Sequence, residues 1–176
     1  MTLESEGLIE LDTIIRQCLV SFEKDLANGD WVGRENEAVN LFAFGYLLKC
    51  VKNNSILYDF SQVGIEVSVQ QVEKENGGKS NVRKDLVIWS KAKMTRWNKE
   101  KKPVNQPLVI MEWKLKGFSK SIDARIAKNK ELEKDSNWLK KFSKNEPNFV
   151  GYSVLVDIKS HKLEVIKIHN GNAEAC

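Results

Sequence analysis

Two short apolar runs, Leu86-Val87-Ile88-Trp89 and Leu108-Val109-Ile110-Met111, constrain this chain more than any other feature. Successive side chains on a strand point to opposite faces. A run that is apolar at every position therefore needs cover on both sides, as inner strands of a covered sheet do. The chain supplies that cover. Leu8, Ile9, Leu11, Ile14, Ile15, Cys18, Leu19, Phe22 and Leu26 recur at helical spacing, and Asn28-Gly29-Asp30 ends the helix they define. A second helix is expected from about Arg34 to Val51, with Ala38, Val39, Phe42, Ala43, Tyr46 and Leu47 as its apolar stripe. A third should cover about Ser121 to Lys144, where Ile122, Ile126, Leu132, Leu139 and Phe142 make a narrow stripe on a heavily charged helix that Pro147 stops.

Between the second and third helices the period changes. Val63, Ile65, Val67 and Val69 alternate with polar or small residues, the pattern of a half-buried strand. Glu75-Asn76-Gly77-Gly78-Lys79 reads as a turn, and strands are expected at Val82–Trp89 and Leu108–Leu115. Phe149–Val156 and Leu163–Ile168 follow as two more strands, and the tail from Asn170 to Cys176 reads as frayed. The fold class is α/β: one domain over residues 1–176, with a central mixed sheet flanked by helices on both sides.

The balance of 28 Lys and Arg against 24 Asp and Glu leaves a net charge of +4, which suits a polyanionic partner without requiring one. No stretch approaches the roughly 20 apolar residues of a membrane-spanning helix, so no membrane partner is expected. The acidic start Met1-Thr2-Leu3-Glu4-Ser5-Glu6 lacks the basic opening of a signal peptide. Cys18, Cys50 and Cys176 are odd in number and widely spaced, which suggests no disulfide framework and makes a cytoplasmic setting the default.

Against this frame, Glu112-Trp113-Lys114 is out of place. It puts a carboxylate and an ammonium two apart, hence on one face, at the end of an apolar strand. Buried charge is costly unless it is paired or binds a metal. Asp85 likewise opens the neighbouring apolar run. Two carboxylates brought together repel each other unless a cation relieves them. Mg²⁺ (or Mn²⁺) suits such a pair, because it takes oxygen ligands, often one or two carboxylates, and keeps positions for water and phosphate. The backbone carbonyl of Trp113 offers a further oxygen, and Lys114 a positive charge beside the ion. A plain Glu112–Lys114 ion pair is the competing reading.

The string Lys84-Asp85-Leu86-Val87-Ile88, followed after a gap by Val109-Ile110-Met111-Glu112-Trp113-Lys114, resembles the PD-(D/E)XK nuclease superfamily. The motif's proline is missing, and Lys84 stands in its place. The resemblance spans about Gly33 to Val156 and implies a restriction-endonuclease-like αβββαβ core, here with an extra N-terminal helix. It also implies a Mg²⁺-dependent phosphodiester hydrolase acting on nucleic acid, with DNA expected, and a homodimer as an open option. In that scheme Asp85 and Glu112 hold the metal and Lys114 assists the nucleophile. Many members carry a further glutamate early in the preceding helix. Here Glu35 is preferred to Glu37, because Ala38, Val39 and Phe42 put Glu35 on the core-facing stripe. The alternative is a nuclease-fold module, weak or inactive in catalysis, that binds nucleic acid or a protein.

The link between the two inner strands is long and basic, with Lys91, Lys93, Arg96, Lys99, Lys101 and Lys102 around Trp97. It reads as a solvated hairpin tip or as a nucleic-acid-contacting arm in which Trp97 stacks and the cations meet phosphate. Arg83, which shares the parity of Asp85, and Lys116, which follows the site, are the other candidate phosphate contacts. His161 and His169 read as satisfied surface histidines, and Trp31, Trp89, Trp113 and Trp138 as core or interface.

Overall fold

The computed structural model describes residues 3–29, 31–70, 72, 81–94, 104–117 and 122–176, with the backbone alone at 3–5 and 122–128. The chain opens with α1 (Leu3–Asn28) and α2 (Glu35–Gly45), then two 3-10 turns at Leu47–Cys50 and Phe60–Gln62. The strands are β1 (Val63–Gln70), β2 (Asn81–Trp89), β3 (Pro107–Lys116), β4 (Val150–Asp157), β5 (Lys162–His169) and β6 (Asn172–Ala175), with α3 (Ile122–Asn145) between β3 and β4. The fold is α/β, with one six-stranded mixed sheet in the order β1-β2-β3-β4-β5-β6. All neighbours pair antiparallel except β3 and β4, which run parallel and are joined through α3.

The sheet carries a core on each face. On one, Leu11, Ile15 and Phe22 of α1 and Val39 and Phe42 of α2 pack on Leu86, Ile88, Met111 and Trp113. Trp113 is fully buried there, with its ring 5.7 Å from Phe22 and 5.1 Å from Phe42. On the other face, Leu139 and Phe142 of α3 pack on Val87, Trp89, Ile110 and Phe149. The two-sided cover that the apolar runs demand is therefore present. α3 lies close on the sheet because Gly151 of β4 has no side chain; a Cβ there would stand 3.2 Å from Leu139.

Three expectations need correction. The second helix ends at Gly45, and the 3-10 turn Leu47–Cys50 completes the stretch expected to be helical to Val51. The stripe continues regardless, since Leu47 is fully buried. The tail is not frayed: β6 pairs with β5 from His169↔Asn172 to Ile166↔Ala175. Asn170 and Gly171, both at positive φ, make the tight connection. They are the Asn-Gly pair that favours two-residue hairpins. The expected turn at residues 75–79 and most of the basic link, with Arg96 and Trp97, lie outside the described residues.

The third correction bears on the site. The strict alternation along β1 fails at Glu66. Val63 and Ile65 join the α1/α2 core, while Val67 and Val69 join the α3 core. Gly64 and Val67, three apart, share the α3 side, since a Cβ on Gly64 would meet Val67 at 2.9 Å. β2 turns over with it. Ile65 pairs with Leu86 on one face, whereas Val67 pairs with Lys84 and Val69 with Val82 on the other. The crossover falls at Glu66, whose φ is +53°, in the left-handed region that few non-glycine residues adopt. Asp85 lies opposite it.

Candidate functional site

Asp85 owes its position to that crossover. Its carboxylate Oδ2 accepts from the Trp113 backbone N–H at 2.7 Å, so it spans from β2 to β3 where the ladder between them is not continued beyond Leu86↔Met111. Asp85 also lines an open cleft of ≈ 310 Å³ with Arg34, Glu35, Asn36, Val39, Ile65 and Glu66. The cleft connects the start of α2 to the sheet. Burial raises the Asp85 carboxyl above its usual range, against the lowering effect of the Trp113 N–H and of Lys114.

Glu112 is more deeply buried. Its side chain is 5% exposed, and it forms an ion pair with Lys84, whose side chain is 3% exposed. The Lys84 ammonium also lies 3.6 Å from the centroid of the Trp138 ring on α3. This is a cation–π contact, in which the ring face attracts the charge. Burial pushes the Glu112 carboxyl up to about 7; Lys84 pulls it down and Asp85, within hydrogen-bond reach, pushes it further up. Ser153 is its register partner on β4, and the Ser153 hydroxyl is buried with no hydrogen-bond partner among the described residues.

Lys114 does not pair with Glu112. Its ammonium donates to the Trp113 carbonyl oxygen at 2.8 Å and meets Glu35 at 3.3 Å and Asp135 of α3 at 3.2 Å. Burial lowers the Lys114 ammonium, but Glu35 and Asp135 more than offset that, and the net shift is upward. Glu37 is occupied elsewhere, accepting from the Arg34 backbone N–H at 2.6 Å as the cap of α2. The helical-stripe argument thus picked the glutamate that reaches the site.

The site therefore gathers Glu35, Asp85, Glu112 and Lys114 from three separate elements, and adds Lys84 and Asp135. Neither addition was named from the sequence as a site residue. In the sequence Lys84 appears only as the residue in place of the motif's proline; the crossover brings it onto the face where it meets Glu112. Asp135 sits in a charged helix with nothing local to distinguish it. Arg83 is exposed and pairs with Glu66 at the surface. Lys116 is drawn toward Asp157 at 3.6 Å and Glu164 at 3.4 Å, on β4 and β5. Lys93 pairs with Asp59 at 3.2 Å at the far end of β2.

Among the described residues no three His, Cys, Asp or Glu side chains form a group able to hold a metal ion. Asp85, Glu112 and the Trp113 carbonyl still fit a hard divalent cation by chemistry. They are oxygen donors, the two carboxyls are in contact with both shifted upward, and the unpartnered Ser153 hydroxyl adds polar capacity beside Glu112. No family model, curated protein or solved structure matches this chain. No described helix is long and apolar enough to cross a membrane.

His161 and His169 are satisfied by backbone oxygens, Nδ1 of each lying 2.7 Å from Leu26 O and 2.9 Å from Phe149 O respectively. A separate polar network crosses from α1 to the sheet. Asp12 accepts from the hydroxyl of the fully buried Tyr152, from Lys167 at 2.9 Å and from Arg16 at 3.2 Å.

Proposed function

We infer that this chain is a metal-dependent nuclease of the PD-(D/E)XK type that hydrolyses phosphodiester bonds in DNA. One observation carries the reading: Asp85, Glu112 and Lys114 come together where β2 and β3 part, with Glu35 of the preceding helix on the same lysine. The order of helix, three antiparallel strands, helix and parallel strand supports a restriction-endonuclease-like core, with α1 added before it and β5 and β6 after.

In this reading Asp85, Glu112 and the Trp113 carbonyl hold Mg²⁺ or Mn²⁺. When bound, such an ion supplies Lewis-acid polarisation of a phosphoryl oxygen and a water of lowered pKa. The chain's own residues do the rest. Glu35 and Asp135 fix the Lys114 ammonium at the edge of the carboxylate pair, where it faces charge that builds on the phosphate. The cleft past Arg34 and Asn36 gives access to Asp85. Arg34 lines the same cleft as Glu35 and Glu66.

A second reading has one observation in its favour. Lys84 already neutralises Glu112, which fits a nuclease-fold module that binds nucleic acid or a protein without cutting. A single panel separates the two. Purified chain is incubated with plasmid, linear, single-stranded and branched DNA, and with RNA, in Mg²⁺ and in Mn²⁺, beside Asp85→Ala and Lys114→Ala. The nuclease reading expects metal-dependent cleavage that both variants lose while keeping the wild-type circular dichroism spectrum. Cleavage by Asp85→Ala at the wild-type rate overturns it. Retention of DNA without cleavage of any substrate supports the module.

A further inference from the structure

Lys114 is enclosed rather than merely paired. Three oxygens surround its ammonium: the Trp113 carbonyl at 2.8 Å, Asp135 Oδ2 at 3.2 Å and Glu35 Oε1 at 3.3 Å. They come from β3, α3 and α2, and the lysine side chain is only 12% exposed. Oxygens converging from three elements on one buried positive centre form the donor shell of a cation. We propose that Lys114 occupies the place of a second metal ion, so that this chain holds one divalent cation and uses its own ammonium where a two-ion site would hold another.

The inference rests on the nuclease reading and specifies its metal content. Two-ion phosphodiester sites clamp the attacking and leaving oxygens between two cations about 3.5–4 Å apart. Here the acids needed for a second ion are taken. Glu35 and Asp135 close on Lys114, and Glu112 gives one oxygen to Lys84. The charge balance agrees. Glu35, Asp85, Glu112 and Asp135 set four carboxylates against the two ammonium groups of Lys84 and Lys114. Two negative charges remain, which one divalent cation balances and two would overshoot. A lysine in this place is also permanent: its charge stays when a chelator strips the other ion. Glu35 and Asp135 then act as positioning residues for Lys114 and not as metal ligands.

Calorimetric titration of the full chain with Mn²⁺, backed by electron paramagnetic resonance of the bound ion, tests this. The wild type is expected to bind one Mn²⁺. Glu35→Gln and Asp135→Asn should each keep that ion, with Kd changed by less than about threefold. Lys114→Met should take up an additional Mn²⁺ in the vacated shell, and Lys114→Arg, which keeps the charge, should not. Two ions on the wild type, or loss of the ion in Glu35→Gln, overturns the proposal while leaving the nuclease reading intact. No uptake by the wild type at millimolar Mn²⁺ takes down the metal-dependent reading and this inference with it. Lys114→Met that melts as the wild type does and binds no additional ion also refutes it. If that variant does not fold, wild-type stoichiometry and the Glu35→Gln result still decide.

Discussion

Replacing Lys84 by methionine isolates one buried charge and changes little else. Methionine keeps an unbranched stem of similar length, and its sulfur can still contact the Trp138 ring. What goes is the ammonium that faces Glu112, at a pair whose side chains are 3% and 5% exposed. Removing one partner of a buried pair costs about 3–5 kcal/mol. Glu112 can escape part of that by taking a proton, so the low end, about 3 kcal/mol, is expected at pH 8. At roughly 2–4 °C per kcal/mol for a chain of this size, the melting temperature should fall by about 6–12 °C. The decisive measurement is a double-mutant cycle by urea unfolding. Glu112→Leu alone strands the lysine over Trp138 and should cost a similar amount. Lys84→Met combined with Glu112→Leu removes both charges and should recover most of the loss, as apolar replacements of buried pairs often do. Two single losses of about 3 kcal/mol each, set against a double mutant that recovers most of them, imply a coupling energy above about 3 kcal/mol. A coupling below about 0.5 kcal/mol would show that the two side chains do not depend on each other, and the argument for Lys84 would fail.

Three further expectations follow from other parts of the molecule. With metal withheld by a chelator, Glu112, raised from 4.5 to about 7, stabilises the fold below pH 4.5, and that stability is lost as pH rises through about 7. The loss is on the order of 3 kcal/mol, Asp85 contributes with the same sign, and Glu112→Gln should flatten the slope of urea-derived stability between pH 5 and 8. Asp12→Ala strips the acceptor from the buried Tyr152 hydroxyl and from Lys167, and thermal melts should show a loss of about 2–3 kcal/mol, against about 1 kcal/mol for Tyr152→Phe. Cys18, whose thiol burial pushes up to about 12, should resist a thiol reagent at pH 8 until the chain unfolds, while exposed Cys176 reacts in the native state; equal rates for the two would contradict this.

The sheet and its layering were legible because the apolar runs at residues 86–89 and 108–111 admit only a covered strand. Most element ends fall within a residue or two for the same reason: hydrophobic period is a local property. Glu35 was legible because its rivals for the helix stripe could be compared residue by residue. The tail was misread because the burial of β6 is slight; its four residues are all exposed and hold by backbone pairing to β5, which apolar spacing does not encode. Asn170-Gly171 was the turn signal that could have found it. The pairing of Lys84 with Glu112 was not legible because alternation assumes an unbroken pleat. Glu66, an ordinary glutamate in the sequence, adopts a backbone conformation that nothing local announces. Asp135 was invisible because its partner lies on a distant strand.

That crossover has a consequence for how β2 keeps its alignment. In a one-faced strand, a slip of one residue moves every apolar side chain into water, so grease holds the register. β2 is buried on both faces over Leu86–Trp89, and a slip there exchanges one apolar residue for another. The penalty shifts to the charged end. Moved by one position, Asp85 would enter the pocket beneath Trp138, where the Lys84 ammonium now lies, and two carboxylates would meet there with no cation between them. The alignment of this strand is thus written in the order Arg83-Lys84-Asp85, and the residues that are candidates for chemistry are also the ones that tell the sheet where to stop.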